Sequence, residues 1–483
     1  VAVDVLPPTV DIPGVQKSVV ITITARVVAT APAGQTIPNA ANLTYTSLPG
    51  PNGTTTNPTG SSTPGASGTN TGERNGSNGV GGLNDYVSSA NVSTTLATPT
   101  IEKLAPSPLF YAVGQQVTYP LRVTLPEGVT RDLVVFDDLP AGMAYVGYQV
   151  ITSAAASGGL LTADFGGSVP TPTVTAPGGS GDDVTLTFGD TTTTDDNDPN
   201  NNRFLVQITA VVLNVAANQD GTVLTNSAQL RYTDPNTGNT VTVNAPQSPT
   251  VTVVEPVLEL HKTIITPPSP PDAGGVVTYR ILINHAANSH SAAYDVVFTD
   301  TIPSGISGFS NVYVTATGIT PPTFEIVGNQ LRVPSTADGS FDLPLGATVT
   351  IVFDATLAQS VQPDQVITNT GHVAWTSTDG PNSNERTGDT SDPGGALNDY
   401  RTSDSASLTV DGLQVVKSLV GTSAIHTTGS EVTIGEVITY QIALTLPEGT
   451  LSGLTVVDLL PEGLAYVMGS AAVDTSAFNG TVP

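Results

Sequence analysis

Lysine, aspartate and asparagine recur in this chain at positions that two-residue alternation assigns to the apolar faces of strands. Lys103 shares a face with Ile101, Lys262 with Leu258 and Leu260, and Lys417 with Leu413 and Val415. Asp137 is in phase with Leu133 and Val135, although the opposite face there is apolar too, and Asp300 and Asp458 hold the matching positions of two related stretches. Asn226 lies in phase with Leu224, Ala228 and Leu230, Asn369 with Ile367, Val373 and Trp375, and Asn39 with Ile37, Ala41 and Leu43. Burying such groups unpaired costs several kcal/mol each. Burial lowers a lysine pKa and raises that of a carboxyl, so a buried pair can share one proton as neutral amine and neutral acid. A neutral amine can attack an asparagine carboxamide while the protonated aspartate donates to its oxygen and then passes the proton to departing ammonia. An amide cross-link remains. A plainer role fits the same residues: lysine near a strand end snorkels to solvent, and Asn and Asp satisfy backbone groups at turns.

The elements that must position these groups are repeated. Three stretches align: "LAPSPLFYAVGQQVTYPLRVTLPEGVTRDLVVFDDLPAGMAYV", "TPPSPPDAGGVVTYRILINHAANSHSAAYDVVFTDTIPSGISGF" and "GSEVTIGEVITYQIALTLPEGTLSGLTVVDLLPEGLAYV". Each sets Gly114, Gly274 or Gly435 five residues before Tyr119, Tyr279 or Tyr440, and Asp137, Asp300 or Asp458 three residues before a proline. A second block closes each unit: "IPNAANLTYTS", "LTNSAQLRYTD" and "ITNTGHVAWTS", all strictly alternating and so read as half-buried strands. The period is roughly 155 residues. By this reading 99–254 and 255–411 are complete repeats, 1–98 is the closing half of one and 412–483 the opening half, either a window on a longer array or a protomer completed by its neighbour. The start at Val1 without a signal peptide fits a processed product or an excerpt.

Composition agrees with an all-β chain. Gly (48) and Pro (38) are plentiful and no 3.6-residue period is sustained, which favours many short strands joined by turns. The expected fold is a series of tandem immunoglobulin-like β-sandwich repeats, linked by short Pro-bearing joints into an elongated rod. A net charge of −27 with only 14 Lys and Arg excludes a nucleic-acid partner, which needs clustered cations. The chain has no cysteine, so disulfides, thiolate metal sites and a Cys nucleophile are excluded. No run of 18 apolar residues appears, so no membrane span is expected.

The "VGxxVTYxLxVTLPEG…VVxDxLPxGxxYV" pattern resembles the isopeptide-forming domains of bacterial fimbriae and the conserved repeat domain of large bacterial surface proteins, over nearly the whole chain. That resemblance implies an extracellular, cell-surface setting and groups the residues into triads: Lys103, Asp137 and Asn226; Lys262, Asp300 and Asn369; and Lys417 with Asp458, for which Asn39 serves if units join head to tail. Two closed loops, of 123 and 107 residues, would each contribute about 5 kcal/mol by the chain-entropy relation for cross-links. The expected function is a structural rod or filament, a head-to-tail homopolymer without substrate or turnover. The alternative is an adhesin stalk that binds a host or matrix sugar or protein through the 50–85 or 380–400 loops.

No cofactor is required, but Asp190, Asp195, Asp196 and Asp198 crowd "FGDTTTTDDNDPNNN", an oxygen-rich stretch suited to Ca2+; a solvated acidic loop fits it equally. The insertions "GERNGSNGVGGLNDY" and "NERTGDTSDPGGALNDY" repeat Glu73, Arg74 and Asp85 as Glu385, Arg386 and Asp399, which reads as a structural loop, an Arg74 or Arg386 salt bridge, an inter-domain clamp or a metal site. No Gly-x-Ser-x-Gly elbow, phosphate loop or metalloprotease motif is present.

Overall fold

The structure is a computed structural model that describes residues 20–45, 86–391 and 395–481. Every regular element among the described residues is a β-strand, and no helix there is long and apolar enough to cross a membrane. The chain divides into two compact units. One comprises residues 1–257, 287–295 and 375–400, and the other 258–286, 296–374 and 401–483.

In the first unit a four-stranded sheet runs Thr100–Lys103, Gln116–Thr124, Arg203–Val212, Met143–Ile151 in spatial order. A six-stranded sheet is built on Thr240–Asn244, Ser227–Thr233, Gly128–Asp138, Val184–Thr193 and Gly167–Ser168, with Thr173–Thr175 also paired to Val184–Thr193. Alternation decides what each contributes. Val117, Tyr119, Leu121 and Val123 point inward from one sheet, and Leu133, Val135, Leu186 and Leu230 from the other, into one shared core. That is a β-sandwich. The segments Val223–Thr225, Thr250–Val254 and Phe110–Ala112 form a small third sheet.

The second unit repeats the plan. Leu258–Thr266, Val276–His285, Thr348–Leu357 and Ile306–Thr317 form a four-stranded sheet. The other sheet runs Glu325–Val327, Gln330–Val333, Ala293–Thr301, Val366–Thr376, Arg401–Thr409, and Phe341–Leu343 pairs with Ala293–Thr301. Tyr279, Ile281, Ile351 and Phe353 are buried from the first sheet, and Phe298, Leu331 and Val373 from the second. Residues Gln414–Thr422 and Ile438–Thr445 form a separate two-stranded sheet, as do Thr36–Thr44 and Val87–Thr95 in the first unit.

The repeated glycines have a backbone reason. Gly114, Gly274 and Gly435 have φ of 88°, 83° and 88°, a left-handed turn that a side chain resists and that starts the tyrosine-bearing strand in the correct phase. Gly371 is small for a different reason. A Cβ placed on it would lie 2.8 Å from the Phe298 ring and 3.7 Å from Leu260 of the facing sheet. Gly371→Ala is therefore expected to cost about 1–3 kcal/mol by overpacking, measurable as a lower urea midpoint, whereas Thr370→Ala should have little effect.

Candidate functional site

Lys103 ends the edge strand of the four-stranded sheet of the first unit, opposite Leu121. Its Nζ crosses the core and donates to Asp137 Oδ2 at 2.5 Å and to the Ser227 carbonyl oxygen at 3.1 Å, both on the facing sheet. Asp137 lies opposite Ala228 on the neighbouring strand, so Asn226, two residues earlier than Ala228, shares its face beside the carboxyl. Lys103 is 1% exposed, and Asp137 and Asn226 are 0% exposed. The Tyr119 ring lies 5.0 Å from the Lys103 Nζ.

The second unit holds the same set. Lys262, opposite Ile281, donates through Nζ to Asp300 Oδ2, with the Tyr279 and Phe353 rings at 5.1 and 5.7 Å. Asp300 lies opposite Leu331, and Asn369 is on the Val366–Thr376 strand opposite Ala406. All three are buried. The third set differs. Lys417 donates to Asp458 Oδ1 at 2.6 Å above the Tyr440 ring, but the two side chains are 41% and 31% exposed. Asn39 belongs to the first unit, on an exposed hairpin opposite Val92.

In both buried sets burial works against the charged form of each partner. Burial pushes the Lys103 amine down to about 8 against the opposing pull of Asp137 and Asp138, and lowers Lys262 against Asp300 and Asp404. Burial likewise raises Asp137 and Asp300, while each lysine and asparagine pulls its carboxyl back down. The asparagines are near enough to influence the carboxyls, yet neither polar atom of the Asn226 or Asn369 side chain reaches hydrogen-bonding geometry with a partner. Each orphaned buried group costs about 1–3 kcal/mol. An amide to the neighbouring lysine would release one of them as ammonia.

Two positioning contacts escape the sequence pattern. The tyrosines beneath the amines were visible as fixed spacing, but alternation does not say which group lies across the core. Asp404 was invisible: its Oδ2 accepts the backbone N–H of Lys262 at 2.7 Å.

Reaction at the first set would be bell-shaped in pH. At low pH the pair holds two protons and the amine is charged; in the middle range one proton is shared; at high pH the last is lost and no acid remains. If the lysine and asparagine do fuse, the rate of ammonia loss from newly made protein should therefore fall on both sides of a maximum.

Within the first unit, Arg386 resolves the repeated insertion as an ion pair. It is 1% exposed, and donates through Nη1 to Glu255 Oε1, through Nε to Asn214 Oδ1 at 3.0 Å and through Nη2 to the Val215 carbonyl at 3.1 Å. Glu385 caps Asn382 and Thr378, and Trp375 stacks on Tyr400 at 5.7 Å while donating to the Pro256 carbonyl. The counterparts Glu73, Arg74 and Asp85 lie outside the described residues. Arg386→Ala, which strands a nearly buried Glu255, should destabilise the protein by about 3–5 kcal/mol in thermal or urea unfolding.

The acidic loop engages its carboxylates in local contacts. Asp190 accepts the Asp132 amide, Asp195 pairs with Arg26, Asp196 accepts Asn201 and the Asp198 amide, and Asp198 accepts Asn200. Local turns and an arginine use these oxygens separately, and among the described residues no group of three or more acidic or histidine side chains is placed to hold a metal ion.

No family model and no curated protein sequence matches the chain. Among solved structures, the C-terminal domain of the Streptococcus agalactiae antigen I/II polypeptide BspA is similar at 12% identity and a TM-score of 0.28, covering 60% of this chain and 97% of that one. The C-terminal domain of the Streptococcus pyogenes antigen I/II-family protein AspA gives 12%, 0.28, 60% and 98%. BcpA, the major pilin subunit of Bacillus cereus, gives 14%, 0.24, 52% and 72%. These are surface-antigen and pilin structures, and at such TM-scores they carry no weight for chemistry or assembly. The fold assignment rests on the sheets described above.

Proposed function

We propose that the chain is a structural protein of the bacterial cell surface, a rod or filament of tandem β-sandwiches in which a Lys–Asn amide ties together the two sheets of each complete unit. The observation that carries the reading is the double occurrence of a sealed lysine, aspartate and asparagine with the carboxamide left unsatisfied. In the reaction the lysine Nζ forms a bond to the asparagine Cγ, the Cγ–Nδ2 bond breaks, and the nitrogen leaves as ammonia carrying the proton relayed by the aspartate. Each set reacts once, so there is no substrate to turn over.

Head-to-tail assembly belongs to the same reading. The Gln414–Thr422 strand exposes Val415, Val416 and Leu419, and the hairpin carrying Asn39 exposes Leu43 and Val92. In the repeat these positions match strands that are buried in the complete sandwiches. Association of copies would cover both and bring Asn39 to Lys417 and Asp458. In the adhesin alternative, polar groups of the 380–400 segment are engaged by Asn214, Gly114 and Gln219, and the other loop lies outside the described residues.

Intact mass decides the amides. The protein should weigh less than its sequence by one ammonia per complete unit; Asp137→Ala and Asp300→Ala should each restore one ammonia, and a mass equal to the plain sequence sum excludes the cross-links. For assembly, sedimentation should show association that grows with concentration, and a monodisperse monomer throughout the range counts against it.

A further inference from the structure

The two buried sets differ in how the lysine is held. In the second unit Lys262 is on an edge strand of the four-stranded sheet, while Asn369 is on the facing sheet. Asp404 joins them. It sits opposite Gly371, two residues along from Asn369, and its Oδ2 accepts the Lys262 main-chain N–H at 2.7 Å while its Oδ1 accepts the Ser405 N–H at 2.9 Å. The lysine backbone is thus pinned to the asparagine-bearing sheet by a charge-assisted bond, which sets the span its Nζ must cross.

The first unit reaches the same end from another residue. Asp138 accepts the Ser227 hydroxyl at 3.0 Å, and the Ser227 carbonyl, next to Asn226, receives Lys103 Nζ at 3.1 Å. The position matching Asp138 is Thr301 in the second unit and Leu459 in the third stretch. Where the second unit lacks the carboxylate beside the reacting aspartate, it carries one on Arg401–Thr409, the strand next to the one that bears Asn369.

We propose that Asp404 is a positioning residue for amide formation between Lys262 and Asn369, and that Asp138, acting through Ser227, does the same for Lys103 and Asn226. This rests on the amide-forming reading above. The titratable and charged groups around Lys262 are Asp300, Asp404, the Tyr279 ring and, acting on Asp300, His372. Around Lys103 they are Asp137, Asp138 and the Tyr119 ring, with Asp183 coupled to Asp138.

The test is cell-free synthesis of the full chain followed by a timed chase, with peptide mapping to count the two amides separately. Asp404→Ala should slow the Lys262–Asn369 amide by about tenfold through misplacement of the amine and leave the Lys103–Asn226 amide, the internal clock, unchanged. Asp404→Asn keeps an oxygen acceptor for the backbone N–H. It should react within about twofold of wild type, with the rate–pH profile moved to lower pH because a negative charge near the amine is gone. Asp138→Ala should slow only the first amide. Wild-type kinetics in Asp404→Ala, or equal slowing in Asp404→Asn, overturns the proposal even though both amides form. Failure of either amide to form in wild-type protein overturns the reading beneath it.

Discussion

A cation and an anion sealed between two β-sheets can persist only if they behave as one group. Lys103 with Asp137, and Lys262 with Asp300, are each shut off from water, and Coulomb attraction alone would not repay the desolvation of both charges. Sharing one proton removes most of that cost, and the same sharing produces the free amine and the undissociated acid that amide chemistry needs. The constraint on stability and the capacity for reaction are therefore one fact about the interior.

The sandwich serves this pair with little specialised machinery. One sheet supplies the amine from its edge strand and the other supplies the carboxyl from one strand and the carboxamide from the next, or for Asn226 from the residue just before it, so ordinary sheet packing brings the groups together. Aromatic rings complete the enclosure: tyrosines below each amine exclude water and present a π face to whatever cationic character the nitrogen keeps. The third lysine and aspartate meet in the same manner above Tyr440 but remain in contact with solvent, which shows that the pair itself forms without the closing strand.

Much of this was legible in the residues because alternation has a period of two and reports the face directly. Lys103, Lys262, Asn226 and Asn369 fall inward as their apolar neighbours require. What alternation omits is depth and partner. The tyrosines were visible as spacing but not as neighbours of the amines, since that depends on the facing sheet. Arg386 stood out by repetition, whereas its partner Glu255 lies 131 residues away in the chain, in a joint whose composition gave no hint of an ion pair. In the acidic loop, a count of carboxylates omits that Asp and Asn in turns spend oxygens on nearby amides, as Asp196 and Asp198 do. Asp404 could not be anticipated, because it answers a main-chain N–H and leaves no pattern in side-chain chemistry.

The completeness of the enclosure around Asn226 and Asn369 has a kinetic meaning. If the proposed amides form, ammonia released there would leave only when the sheets breathe, and a water molecule able to hydrolyse the linkage would enter only by the same rare opening. Departure would happen once, whereas attack would need water, an activated geometry and the opening together. The wall that would delay the product's exit would thus guard what is left behind, and the interior would work as a ratchet whose lifetime is set by local unfolding.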